Sequence, residues 1–136
     1  MRIELNYKSG QSPYLQIVEQ IKYAVAAGSI ESHDPLPSIR SLAQELRINH
    51  NTVAKAYTEL ERSGIIATRA GKGCYVTDNH SPLKKSARSQ ILSDAVDGVI
   101  VEAFHLKIDH KTYLQVCEER WSAFEKRRKE KRPTKN

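Results

Sequence analysis

Apolar residues recur at helical spacing from Tyr14 onward, at Ile17, Val18, Ile21, Ala24 and Val25, and this periodicity predicts an amphipathic helix. Ser12 can cap it, Pro13 fits the first helical position, where a missing N–H costs nothing, and Gly28 supplies the stop. After a turn-rich stretch, Ser29 to Pro37, Ser38 caps a second, short helix whose Ile39, Leu42, Ala43 and Leu46 form one stripe. Asn49 caps a third helix, with Val53, Ala56, Tyr57 and Leu60 inward and Gly64 at its end. Two helices joined by so tight a turn predict a helix-turn-helix. Two β-prone runs follow, Ile65 to Arg69 and Cys74 to Thr77, separated by Ala70-Gly71-Lys72-Gly73, whose glycines allow the positive φ of a hairpin turn. A two-stranded hairpin is not stable alone, so it must pack on the preceding helices.

Asp78 to Lys85 is rich in turn formers. Beyond it the pattern predicts a helix from about Ser86 to Phe104, carrying Ile91, Leu92, Ala95, Val99 and Ala103. Gly98 inside it costs about 1 kcal/mol relative to Ala, which suggests a kink or a close helix approach there. Another helix starts near Asp109, a good cap, with Tyr113, Val116, Cys117, Trp121 and Phe124 on one side. Two amphipathic helices without a third partner leave apolar stripes exposed, and dimerisation through Val99, Ala103, Val116, Trp121 and Phe124 is the simplest way to cover them. The predicted fold is therefore mainly α with a small β-hairpin, a winged helix-turn-helix followed by two C-terminal helices. Its expected divisions are 1–78 for the winged helix, 79–85 for a linker, 86–125 for the helical dimerisation region and 126–136 for a flexible basic tail.

At 136 residues the chain has room for one modest core and a helical appendage, with none for a large catalytic or ligand-binding domain. No apolar run approaches the roughly eighteen residues of a membrane span. The start, Met1-Arg2-Ile3-Glu4, lacks an apolar signal core, so a cytoplasmic location and no membrane partner are expected. Charge refines the picture by its distribution. The net charge of +6 divides into −1 over residues 1–37, +3 over 38–77, −1 over 78–124 and +5 over 125–136. The last block, from Lys126 to Arg132, is either a non-specific phosphate-binding arm or a solvated helix end fraying into disorder. The excess over 38–77 is the more informative, because it coincides with the helix-turn-helix.

Candidate chemistry narrows the function further. Cys74 and Cys117 have no metal or redox spacing and read as reduced, partly buried thiols. His105 and His110 are five apart, which does not put them on one helical face. No motif fixes a nucleophile, and Gly71-Lys72-Gly73 is too short for a phosphate-binding loop, so neither an enzyme nor a cofactor is expected. A recognition helix puts its N-terminal residues into the major groove, and the outward positions there are His50, Asn51, Thr52 and Lys55. Asn pairs bidentately with adenine, Thr touches a thymine methyl or a phosphate, and Lys and His donate to guanine or phosphate. Arg40, on the first turn of the preceding helix, can reach phosphate or an adjacent base, and the wing offers Arg69, Lys72 and exposed glycine backbone to the minor groove.

Pro13-Tyr14-Leu15-Gln16-Ile17, Leu36-Pro37-Ser38-Ile39-Arg40, Asn51-Thr52-Val53-Ala54-Lys55-Ala56-Tyr57 and Gly64-Ile65-Ile66 together resemble the GntR family of bacterial regulators, over residues 11–77. The short C-terminal region is similar to the YtrA subfamily, which pairs a winged helix with a two-helix dimerisation segment. The resemblance implies that Arg40, the recognition-helix start at His50 to Thr52, and the wing tip at Gly71 and Lys72 contact a double-stranded DNA operator. It also implies a homodimer and a repressor. Three departures stand out. Arg47 replaces a common Gly in the turn, a cost of about 1 kcal/mol or more if the backbone there is left-handed, which a phosphate contact could recover. His33 also replaces a common Gly and Pro35 a common polar residue, and many relatives carry Arg at the positions of His50 or Ala54. The competing reading is a non-specific nucleoid-type or RNA-binding protein dominated by the basic tail. A pure adaptor would leave the outward polar set of the third helix unexplained. The sequence names no effector.

Overall fold

The computed structural model describes residues 2–78 and 85–131, in the order α1 (Pro13–Ala26), α2 (Ile39–Leu46), α3 (His50–Arg62), β1 (Ile66–Arg69), β2 (Gly73–Val76), α4 (Lys85–His105) and α5 (His110–Lys131). They fall into two units, the winged helix through residue 78 and the helical pair from residue 85. The linker expected at 79–85 lies outside the described residues except for Lys85, which begins α4.

Caps define the first three helices as the side-chain chemistry predicts. Ser12 accepts from the Leu15 N–H at 3.3 Å, Ser38 from the Ser41 N–H at 2.9 Å, and Asn49 from the Asn51 N–H at 2.7 Å. Their inward faces meet in one core. Ile17 and Ile21 of α1, Leu42 of α2, Val53, Ala56 and Leu60 of α3, Ile66 of β1 and Val76 of β2 are all buried. Each such aliphatic side chain contributes about 1.5–3 kcal/mol by leaving water, so this cluster dominates the unit's stability.

The hairpin pairs Ile66 with Val76 through to Arg69 with Gly73. At its tip the Lys72 N–H donates to the Arg69 carbonyl at 3.0 Å, closing a turn whose third residue, Gly71, has φ 79°. A Cβ there would meet nothing within 4 Å, so glycine is required by the dihedral and not by space. The stretch 29–37, read from sequence only as turns, does more. The His33 and Leu36 N–H groups donate to the Val76 and Cys74 carbonyls, and the Val76 N–H returns to Asp34. Pro35, which has no N–H to offer, bridges opposite Tyr75 without breaking this pattern.

Residues ahead of α1 had no predicted role, yet Ile3 is buried in the core. Two glutamines hold this segment. The Gln16 carboxamide accepts from the Asn6 N–H at 2.7 Å and donates to the Asn6 carbonyl at 2.9 Å; Gln20 does the same with Glu4 at 3.0 and 2.7 Å. Four helical residues advance about 6 Å and two extended residues about 6.6 Å, so side chains four apart on a helix can serve backbone groups two apart.

The helical pair departs from expectation in three ways. First, its apolar residues do not form single stripes. Val99, Ile100 and Val101 are all exposed, and three consecutive residues sweep about 200° of a helix. Phe104 is 78% exposed and Trp121 68%, whereas Ala103 and Phe124 are half-buried. Second, a Cβ at Gly98 would meet no neighbouring group within 4 Å, and α4 runs through it without interruption. Third, the basic run from Lys126, expected as a flexible tail, continues α5 through Lys131, and residues 132–136 lie outside the described ones. Asp109 caps α5 as predicted, accepting from the Thr112 N–H at 2.8 Å, and hydrogen bonds from Thr112 hold its carboxyl below the usual carboxylate range. Cys117 is exposed and only Cys74 half-buried, so one of the two thiols is less buried than expected.

The Tyr57 hydroxyl, on the buried side of α3, donates to the Pro37 carbonyl at 2.7 Å, tying the recognition helix to the chain just before α2. Burial, with the Cys74 thiol adding a smaller effect, pushes its ionisation well above the usual tyrosine range. Tyr57→Phe should therefore lower unfolding stability by about 1–2 kcal/mol in urea titrations, because the Pro37 carbonyl loses its donor. The wild-type fold should weaken as pH rises past the ordinary tyrosine value, since the unfolded chain then sheds a proton that the folded phenol keeps, and the variant should show a shallower fall.

Candidate nucleic-acid interface

Three residues, Arg47, Ile48 and Asn49, separate α2 from α3, and each has a structural task. Arg47 adopts the left-handed conformation (φ 55°, ψ 48°) that closes α2, its N–H donating to the Gln44 carbonyl at 3.3 Å. The Ile48 N–H donates to the Ala43 carbonyl at 3.1 Å, and the Ile48 side chain packs against the core. Asn49 caps α3. The turn is thus pinned at both ends, and the start of α3 is fixed relative to α2.

This arrangement places the sequence-predicted residues as follows. Arg40 is exposed on the first turn of α2, Arg47 is exposed in the turn, and His50, Asn51 and Lys55 are exposed on α3. Thr52, expected to face outward, is half-buried. Arg69, Gly71 and Lys72 are exposed at the end of the hairpin. Among the described residues no side-chain hydrogen bond or ion pair engages Arg40, Arg47, His50, Asn51 or Lys72. Arg62, at the far end of α3, contrasts with them. It forms a bidentate pair with Glu59 at 2.9 Å, which holds the Glu59 carboxyl below and the Arg62 guanidinium above their usual ranges. Buried polar side chains among the described residues all have partners, so the unpaired groups are concentrated where solvent or a ligand can reach them.

Three aromatic contacts were not legible in the sequence. The Lys55 ammonium lies 4.4 Å from the centre of the Tyr14 ring, and the Arg69 guanidinium 5.5 Å from that of Tyr75. Tyr75 also stacks on His33, whose Nε2 lies 2.7 Å from an Asp78 carboxylate oxygen. His33, Pro35, Arg69, Lys72, Cys74 and Tyr75 line a shallow hollow of about 350 Å³ on the wing. Tyr14 falls on the inward apolar face that the helical periodicity predicts, and no local pattern connects it with Lys55 on another helix.

A helix, a helix-turn-helix and a hairpin sharing one core, with cations and amides left unpaired at the start of the third helix, define the winged-helix class of DNA-binding proteins. Residues 13–76 match the bacterial regulatory proteins of the gntR family. The HTH-type transcriptional repressor YtrA of Bacillus subtilis is 34% identical over 107 residues, covering 79% of this chain and 82% of that protein. Among solved structures, a transcriptional antiterminator from Listeria monocytogenes EGD-e superposes with a TM-score of 0.80 at 28% identity, covering 91% of this chain and 92% of that one. YtrA from Sulfolobus acidocaldarius, a GntR-family transcription factor, does so with 0.55 at 33% identity, covering 70% and 97%. The chain belongs to the gntR family of bacterial regulatory proteins, in its YtrA-like branch, and is a DNA-binding transcription regulator.

The left-handed backbone at Arg47, anticipated from its replacement of a common Gly, carries a measurable consequence. Arg47→Gly should raise unfolding stability by about 1 kcal/mol, because glycine takes this conformation without steric cost. Urea titration of the two proteins checks it, and an unchanged or lower stability would show that the arginine side chain recovers the backbone cost within the free protein.

Proposed function

We propose that this regulator is a homodimeric repressor that binds a pseudo-palindromic DNA operator, with one α3 in the major groove of each half-site and each wing at the adjoining minor groove. The observation that carries the reading is the set of unpaired polar groups at the start of α3 and on α2, in a unit whose buried polar side chains are otherwise satisfied. Asn51 is assigned to base recognition, with Arg40, His50 and Thr52 reading bases or adjoining phosphates. Arg47, Lys55, Arg69, Lys72 and the Gly71 backbone serve phosphates and the minor groove. Repression follows the likeness to YtrA of Bacillus subtilis. The cytoplasm is the compartment that fits an operator-binding role; no helix among the described residues is long and apolar enough to cross a membrane.

Dimerisation is assigned to the helical pair. Val99, Val116 and Trp121 are exposed apolar residues, joined by Ala103 and Phe124 at half burial, and a helix apolar on several sides is stable only when covered. Two-fold pairing of two such units also presents two recognition helices with the symmetry of a palindrome.

Two measurements test this reading. Asn51→Ala should cost about 1–3 kcal/mol on the duplex that the wild-type chain selects from a random-core library, and relax preference at one position per half-site. Lys72→Ala should weaken all sequences alike and lower the salt slope by about one. Wild-type affinity and preference in Arg40→Ala, Asn51→Ala and Thr52→Ala alike would exclude base readout by this face. The buried core of the winged helix lies wholly within residues 3–76, so a chain ending at residue 78 should fold. It should sediment as a monomer at micromolar concentration and bind the duplex far more weakly, whereas a persisting dimer would move the interface elsewhere.

A further inference from the structure

Lys55 has an obvious alternative partner that it does not use. Glu59 stands four residues further along α3, a spacing at which lysine and glutamate side chains meet, but both of its carboxylate oxygens accept from Arg62, through Nε and Nη2. The Lys55 ammonium instead rests 4.4 Å from the centre of the Tyr14 ring, on a different helix. The difference matters for a DNA-binding surface. A carboxylate would neutralise the cation, whereas a ring face orients it and leaves its charge, and the N–H groups pointing away from the ring, available to an anion. The seat is firm because Tyr14 is the second residue of α1, behind the Ser12 cap and Pro13, and packs against the core that α1 shares with α3. The wing repeats the device, with Arg69 over Tyr75 at 5.5 Å.

We propose that Tyr14 is a positioning residue of the DNA-binding surface, its ring seating the Lys55 ammonium so that α3 presents an unneutralised cation at a set place to a backbone phosphate. The inference rests on the operator-binding reading above. Tyr14 touches no base, and its effect passes entirely through Lys55. A flexible lysine that must be ordered on binding loses part of its contribution to that ordering, and the ring removes this loss in advance.

A double-substitution cycle on the full chain tests it, using as probe the duplex enriched by the wild-type protein from a random-core library, titrated over a range of salt. Lys55→Ala should weaken binding and lower the salt slope by about one. Tyr14→Leu should weaken binding about two- to fivefold, and Tyr14→Phe, which keeps the ring, should stay within about twofold of wild type. The double variant Tyr14→Leu/Lys55→Ala should bind no more weakly than Lys55→Ala alone. Equal losses from Tyr14→Leu with and without Lys55, or binding as tight as or tighter than wild type in Tyr14→Leu, would overturn the proposal. Should Tyr14→Leu fail to fold, the Lys55 ε-methylene protons provide a second measurement. They should be shifted upfield by the ring in the free wild-type protein and remain so on DNA, and ordinary shifts in the complex would overturn it. Loss of binding in Lys55→Ala without coupling to Tyr14 sinks only this inference, whereas wild-type binding by both Lys55→Ala and Asn51→Ala, or no enriched duplex at all, sinks the operator-binding reading with it.

Discussion

The Tyr57 hydroxyl donates to the Pro37 carbonyl from a buried position on α3, and the placing of the recognition helix against α2 depends on that bond. Pro37 immediately precedes Ser38, which caps α2, so the bond couples the middle of the recognition helix to the start of its supporting helix. The second coupling is the turn at Arg47, Ile48 and Asn49. With two tethers at different points along α3, the helix cannot pivot on its aliphatic contacts alone. Hydrophobic burial supplies more free energy but no direction, whereas a buried donor and acceptor lose about 1–3 kcal/mol if they separate and so select one arrangement among many of similar burial.

Stability is surrendered at particular backbone positions. His33, Arg47 and Lys107 take positive φ without being glycine, a conformation that costs roughly 1–2 kcal/mol per residue. Arg47 and Lys107 each follow the last turn of a helix, where the macrodipole favours a cation by about 0.3–1 kcal/mol. That return is smaller than the cost, so the dipole alone does not account for a basic residue at Arg47. Under the proposed docking a phosphate would lie at this exposed position between α2 and α3, and a contact to it would offset the remaining cost. Lys107 joins α4 to α5, far in sequence from the reading surface, and nothing in the structure explains its choice over glycine.

The two units have opposite economies. In the winged helix the apolar residues converge on one core, and even the amides of Gln16 and Gln20 are spent on holding the N-terminal segment. In the helical pair Ile91, Leu92, Val99, Ile100, Val101 and Phe104 of α4 face outward together with Leu114, Val116 and Trp121 of α5. A surface of that kind is unfavourable in water unless another apolar surface covers it, which is the physical basis for assigning dimerisation there.

Periodicity and capping chemistry were sufficient to read from sequence the three helices of the winged unit, the hairpin and the start of α5, because these depend on residues within a turn or two of one another. Ser12, Ser38, Asn49 and Asp109 cap where their side chains predict, whereas the left-handed backbone at Arg47 was suggested only by the resemblance to regulators that commonly carry Gly there. The exposed candidates at Arg40, His50, Asn51 and Lys55 followed from the same local geometry, while the half-burial of Thr52 did not. Only the tertiary structure decided which distant groups meet. The bridge of Pro35 to Tyr75, the hold of Gln16 and Gln20 on the N-terminal segment, the ring beneath Lys55 and the Tyr57–Pro37 bond all join groups on different elements, and even the nearer pair Arg69 and Tyr75 meets only across the two strands of the wing. The breadth of the apolar surface on α4 was hidden for a related reason. A single stripe and a surface sweeping most of a helix share many of the same apolar positions, and only the packing of the whole chain shows which of them are left in solvent.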